Sequence, residues 1–173
     1  MSRLRRLVVS DRWFLITCRL LPRRRILSAA EFSTLAQVID ERRSKHGFSL
    51  TAWVFLPDHW HGIFYPRHPL TISRVLEAIK DGASKRINRS RREAGRLWQP
   101  RFFDRALRTV QEYHEKVAYL HLNPVRGGLV ERPGDWKWSS VHDYTRSVSD
   151  TPVTPGGLLI DRLRLPADEH TRI

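Results

Sequence analysis

Cysteine, long apolar runs and negative charge are all scarce in this sequence of 173 residues. Its single cysteine, Cys18, excludes an intramolecular disulfide framework and predicts folding in a reducing compartment. No apolar run approaches the roughly 20 residues that a membrane helix needs. The basic stretch near the N-terminus is followed by only residues 7–9 as an apolar run, which is too short for a signal peptide. We therefore expect a soluble cytoplasmic protein without a membrane partner.

The shortage of acidic residues leaves a strong positive charge, because 18 Asp and Glu face 31 Lys and Arg, for a formal net charge of +13. Such an excess on a small domain is typical of proteins with a polyanionic partner. Most of the basic residues are arginines, whose planar guanidinium can donate two parallel hydrogen bonds to a phosphate. Solubility alone is one alternative explanation. Membrane-surface binding is another, but it requires an amphipathic basic helix whose apolar face the core does not need, and the sequence offers none.

Apolar periodicity predicts four strands and three helices in one domain, a reasonable number for this chain length. Strands are predicted where aromatic and β-branched residues run together, and helices where apolar residues recur at three- and four-residue steps. Ser28 followed by Glu31 is a capping-box signature for the first helix, and Pro124 is expected to end the third. Strands are expected at 12–19, 48–56, 59–65 and 101–108, and helices from about 28 to 46, from 72 into the arginines at 86–96, and from 110 to 123.

The order β, α, β, β, α, β, α is that of a ferredoxin-like split βαβ fold. The fold class is therefore α+β, with a four-stranded antiparallel sheet and an additional C-terminal helix. Trp136 and Trp138 are expected to dock a short extension on the core, whereas residues 147–173 show little periodicity. We predict one domain over residues 1–146 and a C-terminal tail over residues 147–173.

His59 and His61 flank Trp60 on the third predicted strand. Side chains alternate between the faces of a strand, so both imidazoles point the same way, about 6 to 7 Å apart along the chain. They can then share one divalent metal ion. A motif this short is weak by itself, and two polar residues on a solvated strand face are the alternative.

The third predicted helix offers a nucleophile and a further ligand. Tyr119 and Asn123 lie one turn apart at the edge of its apolar stripe, where one phenolic and one amide oxygen would project together. Taken singly, each residue favours a structural interpretation over a functional one: Tyr119 as a partly buried core residue, and Asn123 as a helix cap before Pro124. Tyr113 lies on the apolar stripe and is a weaker candidate. The joint presence of these residues with the histidine pair favours a metal site beside a nucleophile.

Four segments together resemble the motifs of a known family: residues 58–61 (DHWH), 97–104 (LWQPRFFD), 119–130 (YLHLNPVRGGLV) and 136–140 (WKWSS). In this order, over about residues 10 to 145, they are similar to the REP-associated tyrosine transposases, relatives of the single-tyrosine insertion-sequence transposases in the HUH endonuclease superfamily. Trp60 is bulkier than the family's usual aliphatic middle residue. The resemblance implies a ferredoxin-like fold and a hairpin-forming DNA target. The members of that family include both monomers and homodimers, so the resemblance leaves both assemblies open. It also implies metal ligation by His59, His61 and Asn123 and nucleophilic attack by Tyr119.

The resemblance further implies a reaction. Tyr119 would attack a backbone phosphate to give a 5′-phosphotyrosine link and a free 3′-OH, and the 3′-OH of a second strand could reverse the step. Two imidazoles and an amide oxygen suit Mn²⁺ better than Mg²⁺, although Mg²⁺ is the alternative ion. We thus predict a metal-dependent single-strand DNA endonuclease and strand transferase. A non-catalytic DNA-binding protein, derived from a domesticated transposase, is the main alternative. An RNA-binding protein is disfavoured, because the sheet face carries H-x-H rather than paired aromatics.

Single-stranded or hairpin DNA is gripped by guanidinium–phosphate contacts together with aromatic stacking. The arginines that end the second helix, followed by a tryptophan, offer both, and the basic N-terminal arm can reach a groove of a hairpin stem. For each arginine taken alone, solvation of a helix end is the alternative. The predicted DNA-binding residues are Arg3, Arg5, Arg6, Arg86, Arg89, Arg91, Arg92, Arg96 and Trp98.

Overall fold

The computed structural model describes residues 10–145 and 155–173. Within them the sheet is antiparallel throughout, with strand order β2-β3-β1-β4, so the predicted ferredoxin-like α+β fold is confirmed. None of the helices in these residues is long and apolar enough to cross a membrane. The strands are β1 (Phe14–Arg19), β2 (Ser49–Phe55), β3 (His59–Tyr65) and β4 (Phe103–Ala106), and the helices are α1 (Ala29–His46), α2 (Ile72–Arg91), α3 (Val110–Arg126) and the short α4 (Val141–Thr145).

The sheet lies between two helical layers. Phe14, Ile16 and Cys18 of β1 point into the larger core, under α1 and α2. Leu15 points the other way, into a smaller core that α3 covers with Val117 and its neighbours. Because side chains alternate along a strand, every second residue of β1 and β3 therefore faces α3. This face carries the histidine pair.

Local signals in the sequence account for α1 and its packing. Ser28 caps the helix, its backbone N–H donating to Glu31 while its side chain accepts from the Glu31 N–H, as the capping box predicts. The helix ends at Gly47, which adopts a φ of 73° that few other residues tolerate. At Gly82 of α2 an added Cβ would lie 2.9 Å from Val38, so glycine lets the two helices approach closely.

The outer edge of β2 is covered by the segment that follows α3. The Phe55 N–H donates to the Trp138 carbonyl at 2.9 Å, and the Ser140 N–H donates to the Trp53 carbonyl at 2.9 Å. Trp136 and Trp138 pack against the larger core, as predicted. Covering an edge in this way removes a row of free backbone groups that would otherwise pair with other chains.

Residues 155–173 were predicted to form part of a tail, and they contact both faces of the sheet. Leu158 is buried in the larger core, while the Val110 and Gln111 N–H groups donate to carbonyls of residues 171 and 169 at 3.2 and 2.8 Å. Those donors belong to the first turn of α3, and the N–H groups of a helix's first turn have no acceptors within the helix. The domain boundary at residue 146 falls outside the described residues and stays a prediction.

Two elements differ most from the sequence prediction. Strand β4 has four residues instead of residues 101–108, because its regular ladder with β1 runs only from Phe103 to Ala106. The segment before it contacts the end of β1 in a different register, through the bridge of Trp98 with Leu20. Helix α3 does not stop at Pro124 but continues to Arg126. The Gly127 N–H donates to the Asn123 carbonyl at 2.8 Å and closes the last turn, so the proline only removes one hydrogen bond inside the helix.

Candidate active site

The register of the sheet brings three site residues into one row. Thr17 of β1 pairs with His61 of β3 on one side and with Phe103 of β4 on the other. Residues directly opposite each other on adjacent strands present their side chains on the same face. One row further along, Arg19 pairs with His59. The α3 side of the sheet thus carries both imidazoles, a hydroxyl, a guanidinium and an aromatic ring.

The two imidazoles meet with their ring centroids 4.9 Å apart and their planes perpendicular. One ring nitrogen of each already has a partner: His59 Nδ1 lies 2.6 Å from Asp58 Oδ1, and His61 Nδ1 lies 2.8 Å from Thr17 Oγ1. Burial would raise the pKa of Asp58, but its hydrogen bond to His59 and the charges of His59 and Arg19 lower it. A carboxylate held beside Nδ1 fixes the ring and favours a proton on that nitrogen, which leaves the lone pair on Nε2.

His61 Nε2 is a buried polar atom without a hydrogen-bond partner among the described residues. The pKa of His61 is lowered to about 3, chiefly by burial and then by the charges of His59 and Arg19, while the nearby Ile16 backbone and Asn123 side chain act in the opposite direction. The ring is therefore neutral at physiological pH. An unsatisfied buried ring nitrogen of this kind is costly unless a ligand occupies it. Nε2 offers a lone pair in the tautomer in which Nδ1 carries the proton and donates to Thr17 Oγ1.

Tyr119 of α3 faces the same imidazole. Its ring centroid lies 6.0 Å from that of His61, and the residue is 37% exposed. Two cations flank the phenol: the Arg126 guanidinium lies 5.1 Å and the Lys116 ammonium 6.0 Å from its ring centroid. The phenol is thus open to solvent and lies beside the imidazole pair. The positive charges around it attract phosphate.

Asn123 stands one turn beyond Tyr119 and is partly exposed. Its Nδ2 donates to the Tyr119 backbone carbonyl at 2.9 Å. With the amide nitrogen held by its own helix, Oδ1 is the atom left for another partner. The side chain lies close enough to His61 to affect the pKa of that residue, yet it does not satisfy Nε2.

The donor set fits a divalent metal ion with nitrogen and oxygen ligands. Within residues 10–145 and 155–173, no group of three or more His, Cys, Asp or Glu side chains could hold a metal. Two imidazoles with a neighbouring amide oxygen are a smaller set, and they suit a borderline ion that keeps open positions for substrate. The unpaired Nε2 of His61 is the observation that supports this fit.

Two of the residues predicted to bind DNA lie in the interior, which corrects that prediction. Trp98 is 3% exposed and packs beside Trp60 with ring centroids 6.5 Å apart, so neither face of its ring is open to a base. The Arg91 side chain is 0% exposed and forms an ion pair with Glu31 at 2.5 Å. Both residues stabilise the contact between the helices and the loops beside them.

The remaining predicted arginines divide into three groups. Arg86 is exposed but paired with Glu41 through two hydrogen bonds. Three arginines at the end of α2 and in the loop after it are exposed: Arg89, Arg92 and Arg96. Three lie outside the described residues: Arg3, Arg5 and Arg6.

Several residues of the site were missed by sequence reasoning. Lys116 and Arg126 lie three residues before and seven after Tyr119, a helical spacing that would have placed them on its face. Asp58 directly precedes His59 and could have been weighed as its hydrogen-bond partner. Thr17 had no such signal, because its contact with His61 depends on the pairing of strands 44 residues apart.

The hydroxyl groups of Tyr113 and Tyr144 are occupied. Tyr144 Oη donates to the Thr51 carbonyl at 2.7 Å and lies 3.1 Å from Tyr113 Oη. Burial raises the pKa of Tyr144. Tyr119 and His61 line a common surface groove, and neither Tyr113 nor Tyr144 is among the residues that line it.

Comparison with known proteins places this geometry in a family. The family described as "Transposase IS200 like" matches residues 9–120. A REP-associated tyrosine transposase of Escherichia coli is 30% identical over 143 residues, which cover 82% of this chain and 84% of the relative. A Haemophilus influenzae protein described in similar terms is 29% identical over 128 residues, covering 64% and 72%.

A solved structure, of a REP-associated tyrosine transposase bound to a REP hairpin, has a TM-score of 0.75 and 28% sequence identity. It matches over 100% of this chain and 99% of its own. Sequence and fold thus agree over nearly the whole length. The chain belongs to the IS200-like transposases and, among them, to the REP-associated tyrosine transposases.

Proposed function

We propose that this protein is a metal-dependent single-strand DNA endonuclease and strand transferase that acts on hairpin-forming repeat DNA through Tyr119. One observation carries the proposal: the exposed phenol of Tyr119 and the buried imidazole of His61, with its unpaired Nε2, lie 6.0 Å apart between ring centroids. One phosphate can contact both. Membership of a transposase family and the surrounding positive charge support it.

The proposed reaction is a transesterification at phosphorus. The Tyr119 Oη forms a bond to phosphorus, the bond from phosphorus to the 3′ oxygen breaks, and the phenolic proton is balanced by the one gained by the leaving 3′-OH. The product is a 5′-phosphotyrosine link, and a 3′-OH of another strand can reverse it without an added energy source. A neutral phenol is a weak nucleophile, so it has to lose its proton during attack. The nearby cations, Lys116 and Arg126, favour binding of the negatively charged phosphate beside this ring.

His59, His61 and Asn123 would hold the divalent ion, Mg²⁺ or Mn²⁺, through Nε2 of each imidazole and Oδ1 of the amide. When bound, such an ion polarises the scissile phosphate and stabilises charge on its oxygens. The protein's own contribution is to orient the ligands. Asp58 and Thr17 fix the two rings through their Nδ1 atoms, and the Tyr119 carbonyl fixes the amide.

Hairpin DNA is the proposed substrate because the solved relative is bound to a REP hairpin and because this chain carries a net charge of +13. Within the residues that the structure describes, the proposed phosphate-binding arginines are the exposed Arg89, Arg92 and Arg96. Arg86 joins them only if its pair with Glu41 opens.

The direct test is covalent capture. A labelled hairpin oligonucleotide with single-stranded flanks is incubated with the protein and Mn²⁺, denatured, and examined for a protein–DNA adduct. The expected result is an adduct whose digested peptide carries a nucleotide on Tyr119, and which disappears with a chelator. Binding of the hairpin without any adduct, in Mn²⁺ and in Mg²⁺, would show a non-catalytic DNA-binding protein instead.

Replacing Asp58 with asparagine is expected to weaken Mn²⁺ binding by about 10- to 100-fold. The reason is that the carboxylate now accepts from His59 Nδ1 at 2.6 Å and makes the ring a better ligand, while a neutral amide does so less well. Calorimetric titration of the protein with Mn²⁺ measures the affinity directly, and the Mn²⁺ dependence of adduct formation should shift in parallel. Asp81→Asn is the control, since Asp81 is an exposed carboxylate paired with Lys85 on α2. Equal Mn²⁺ affinities for the two variants would contradict the proposed role of Asp58 in orienting His59 as a ligand.

Replacing Arg89 or Arg96 with alanine is expected to reduce the salt dependence of hairpin binding. Each lost phosphate contact lowers the slope of log affinity against log salt concentration by about 1. Arg74→Ala is the matched control, because Arg74 is also exposed on α2 but lies at the helix's other end, paired with Glu77. Fluorescence anisotropy at several salt concentrations gives the slopes. An unchanged slope in both variants would remove this end of α2 from the proposed interface.

A further inference from the structure

Phe103 is an unusually open aromatic residue. It is 57% exposed, and among the large hydrophobic side chains of the described residues only Ile26 is more exposed. It lies at the start of β4, the edge strand of the sheet. An exposed phenylalanine costs free energy in water, and on a functional face it suggests a partner.

The position of Phe103 relates it to the proposed reaction. It shares a cross-strand row with Thr17 and His61, two strand spacings, or roughly 10 Å, from the latter. Helix α3 packs mainly over β2 and β3, while Thr17 of β1 and Phe103 of β4 line an opening on this face. The result is a groove of about 340 Å³, whose lining includes Thr17, His61, Phe103, Lys116 and Tyr119.

Charge in this groove is predominantly positive. Arg19, Arg105 and Lys116 line it, while two carboxylates stand beside them: Asp58, 3.1 Å from Arg19, and Glu112, 2.7 Å from Arg105. Arg126 adds a fourth cation next to the Tyr119 ring. The balance of four cations against two carboxylates favours a polyanion, and a lone exposed ring among cations is the combination that binds single-stranded nucleic acid.

We infer that Phe103 is a stacking platform for one unpaired base that flanks the phosphate attacked by Tyr119. The inference rests on the proposed function and adds to it a subsite for a single-stranded nucleotide. Holding that base on the β4 edge fixes the backbone beside it and so orients the phosphate in the groove. Because every base has a π-face, this contact can be made with any base, and it favours a base that is not paired with another strand.

Competing occupants are less well matched to the groove. A protein interface needs a contiguous apolar area, whereas here one ring is surrounded by cations, ion pairs and a hydroxyl. A second copy of the chain could instead add its own β4 to the same edge, which would repeat the same positive charges across the contact. These occupants are separate outcomes of the test.

The test compares two probes in the Tyr119→Phe background, so that neither is cut. One is a hairpin with single-stranded flanks of about eight thymidines, within the usual site size for single-strand binding, and the other is the same hairpin without flanks. Phe103→Leu keeps an apolar side chain but lacks a π-face, and Phe103→Trp keeps the π-face. Phe103→Leu is expected to bind the flanked hairpin roughly 5- to 100-fold more weakly and the blunt hairpin unchanged, while Phe103→Trp binds both like its parent.

A double-mutant cycle identifies the nucleotide. Each thymidine of the flank is replaced in turn by an abasic residue, and at one position the loss should equal that of Phe103→Leu and should not add to it. Leu129→Ala, an exposed apolar residue outside the groove, should change nothing. Equal binding of the flanked probe by parent and Phe103→Leu, or equal losses for both probes, overturns the inference.

Two further outcomes are distinguishable. A change of sedimentation behaviour in Phe103→Leu, without a change in DNA affinity, would show that the ring contacts a second copy, and the inference fails. Failure of the parent protein to bind either probe overturns both the inference and the proposed function. Binding of both probes with equal affinity overturns the single-stranded subsite and leaves the hairpin function intact.

Discussion

Replacing Tyr119 with phenylalanine is expected to abolish the covalent protein–DNA adduct while the protein remains folded. The substitution removes one oxygen from a residue that is 37% exposed, so the packing of α3 is retained. Loss of a nucleophile typically costs several orders of magnitude in rate, because no other group takes over the covalent step. Denaturing electrophoresis of labelled hairpin with and without Mn²⁺ measures the adduct, and circular dichroism measures folding.

Tyr113→Phe and Tyr144→Phe are the matched controls for this prediction. Their hydroxyls lie 3.1 Å apart and Tyr144 also donates to a backbone carbonyl, so Tyr113→Phe loses one hydrogen bond and Tyr144→Phe loses two, each worth about 1 kcal/mol. Both variants should still form the adduct. An adduct formed by Tyr119→Phe at the wild-type level would refute the assignment of the nucleophile. Loss of the adduct in Tyr144→Phe alone would transfer the role to that residue.

Glu31→Gln is expected to lower the free energy of unfolding by about 3 to 5 kcal/mol, since it leaves the guanidinium of Arg91 buried without its counter-charge. The Arg91 side chain is 0% exposed and that of Glu31 is 9% exposed, and two hydrogen bonds of 2.5 and 2.9 Å join them. Typical domains are stable by only about 5 to 15 kcal/mol, so the variant should unfold at a much lower urea concentration.

Glu41→Gln is the control for Glu31→Gln. Glu41 also pairs with an arginine, Arg86, but both side chains are about half exposed, at 53% and 43%. An exposed pair contributes about 0 to 1 kcal/mol, so the urea midpoint should hardly move. Similar midpoints for the two variants would contradict the importance of burial for the Glu31 pair.

The same ion pair predicts how stability depends on pH. Burial would raise the pKa of Glu31, but hydrogen bonds from Arg91 and Ser28 and the charge of Arg91 outweigh it and lower the pKa from 4.5 to about 2. Since the folded-state pKa lies below the unfolded one, the contribution is complete above pH 4.5 and declines as the pH falls towards 2. Over that range the unfolding free energies of wild type and Glu31→Gln should converge.

The parts of the site that were predictable depend on local sequence. Strand alternation places His59 and His61 on one face and sends Trp60 into the core on the other, where it is fully buried. Helical spacing places Tyr119 and Asn123 together. Capping chemistry places the start of α1 at Ser28. Each of these relationships spans only a few residues, and no knowledge of the remaining fold is needed to derive it.

The parts that were not predictable depend on long-range pairing. Arg91 is one of several neighbouring arginines, and only its contact with Glu31, 60 residues away in sequence, turns it inward. Trp98 is buried because its segment forms a bridge with Leu20. Phe103 lies in the same cross-strand row as His61 only because of the register of β1 with β4. Composition and periodicity carry no information about such partners.

The docking of residues 168–173 beside α3 has a practical consequence for handling the protein. The Ile173 N–H donates to the Arg108 carbonyl at 3.0 Å, one residue before Thr109, which caps the helix that carries Tyr119. A purification tag joined directly to Ile173 would therefore start at the base of that helix, and deletion of the segment would expose the helix's first amide donors. Fusions intended to leave the groove beside Tyr119 unchanged are better separated from this contact by a flexible spacer.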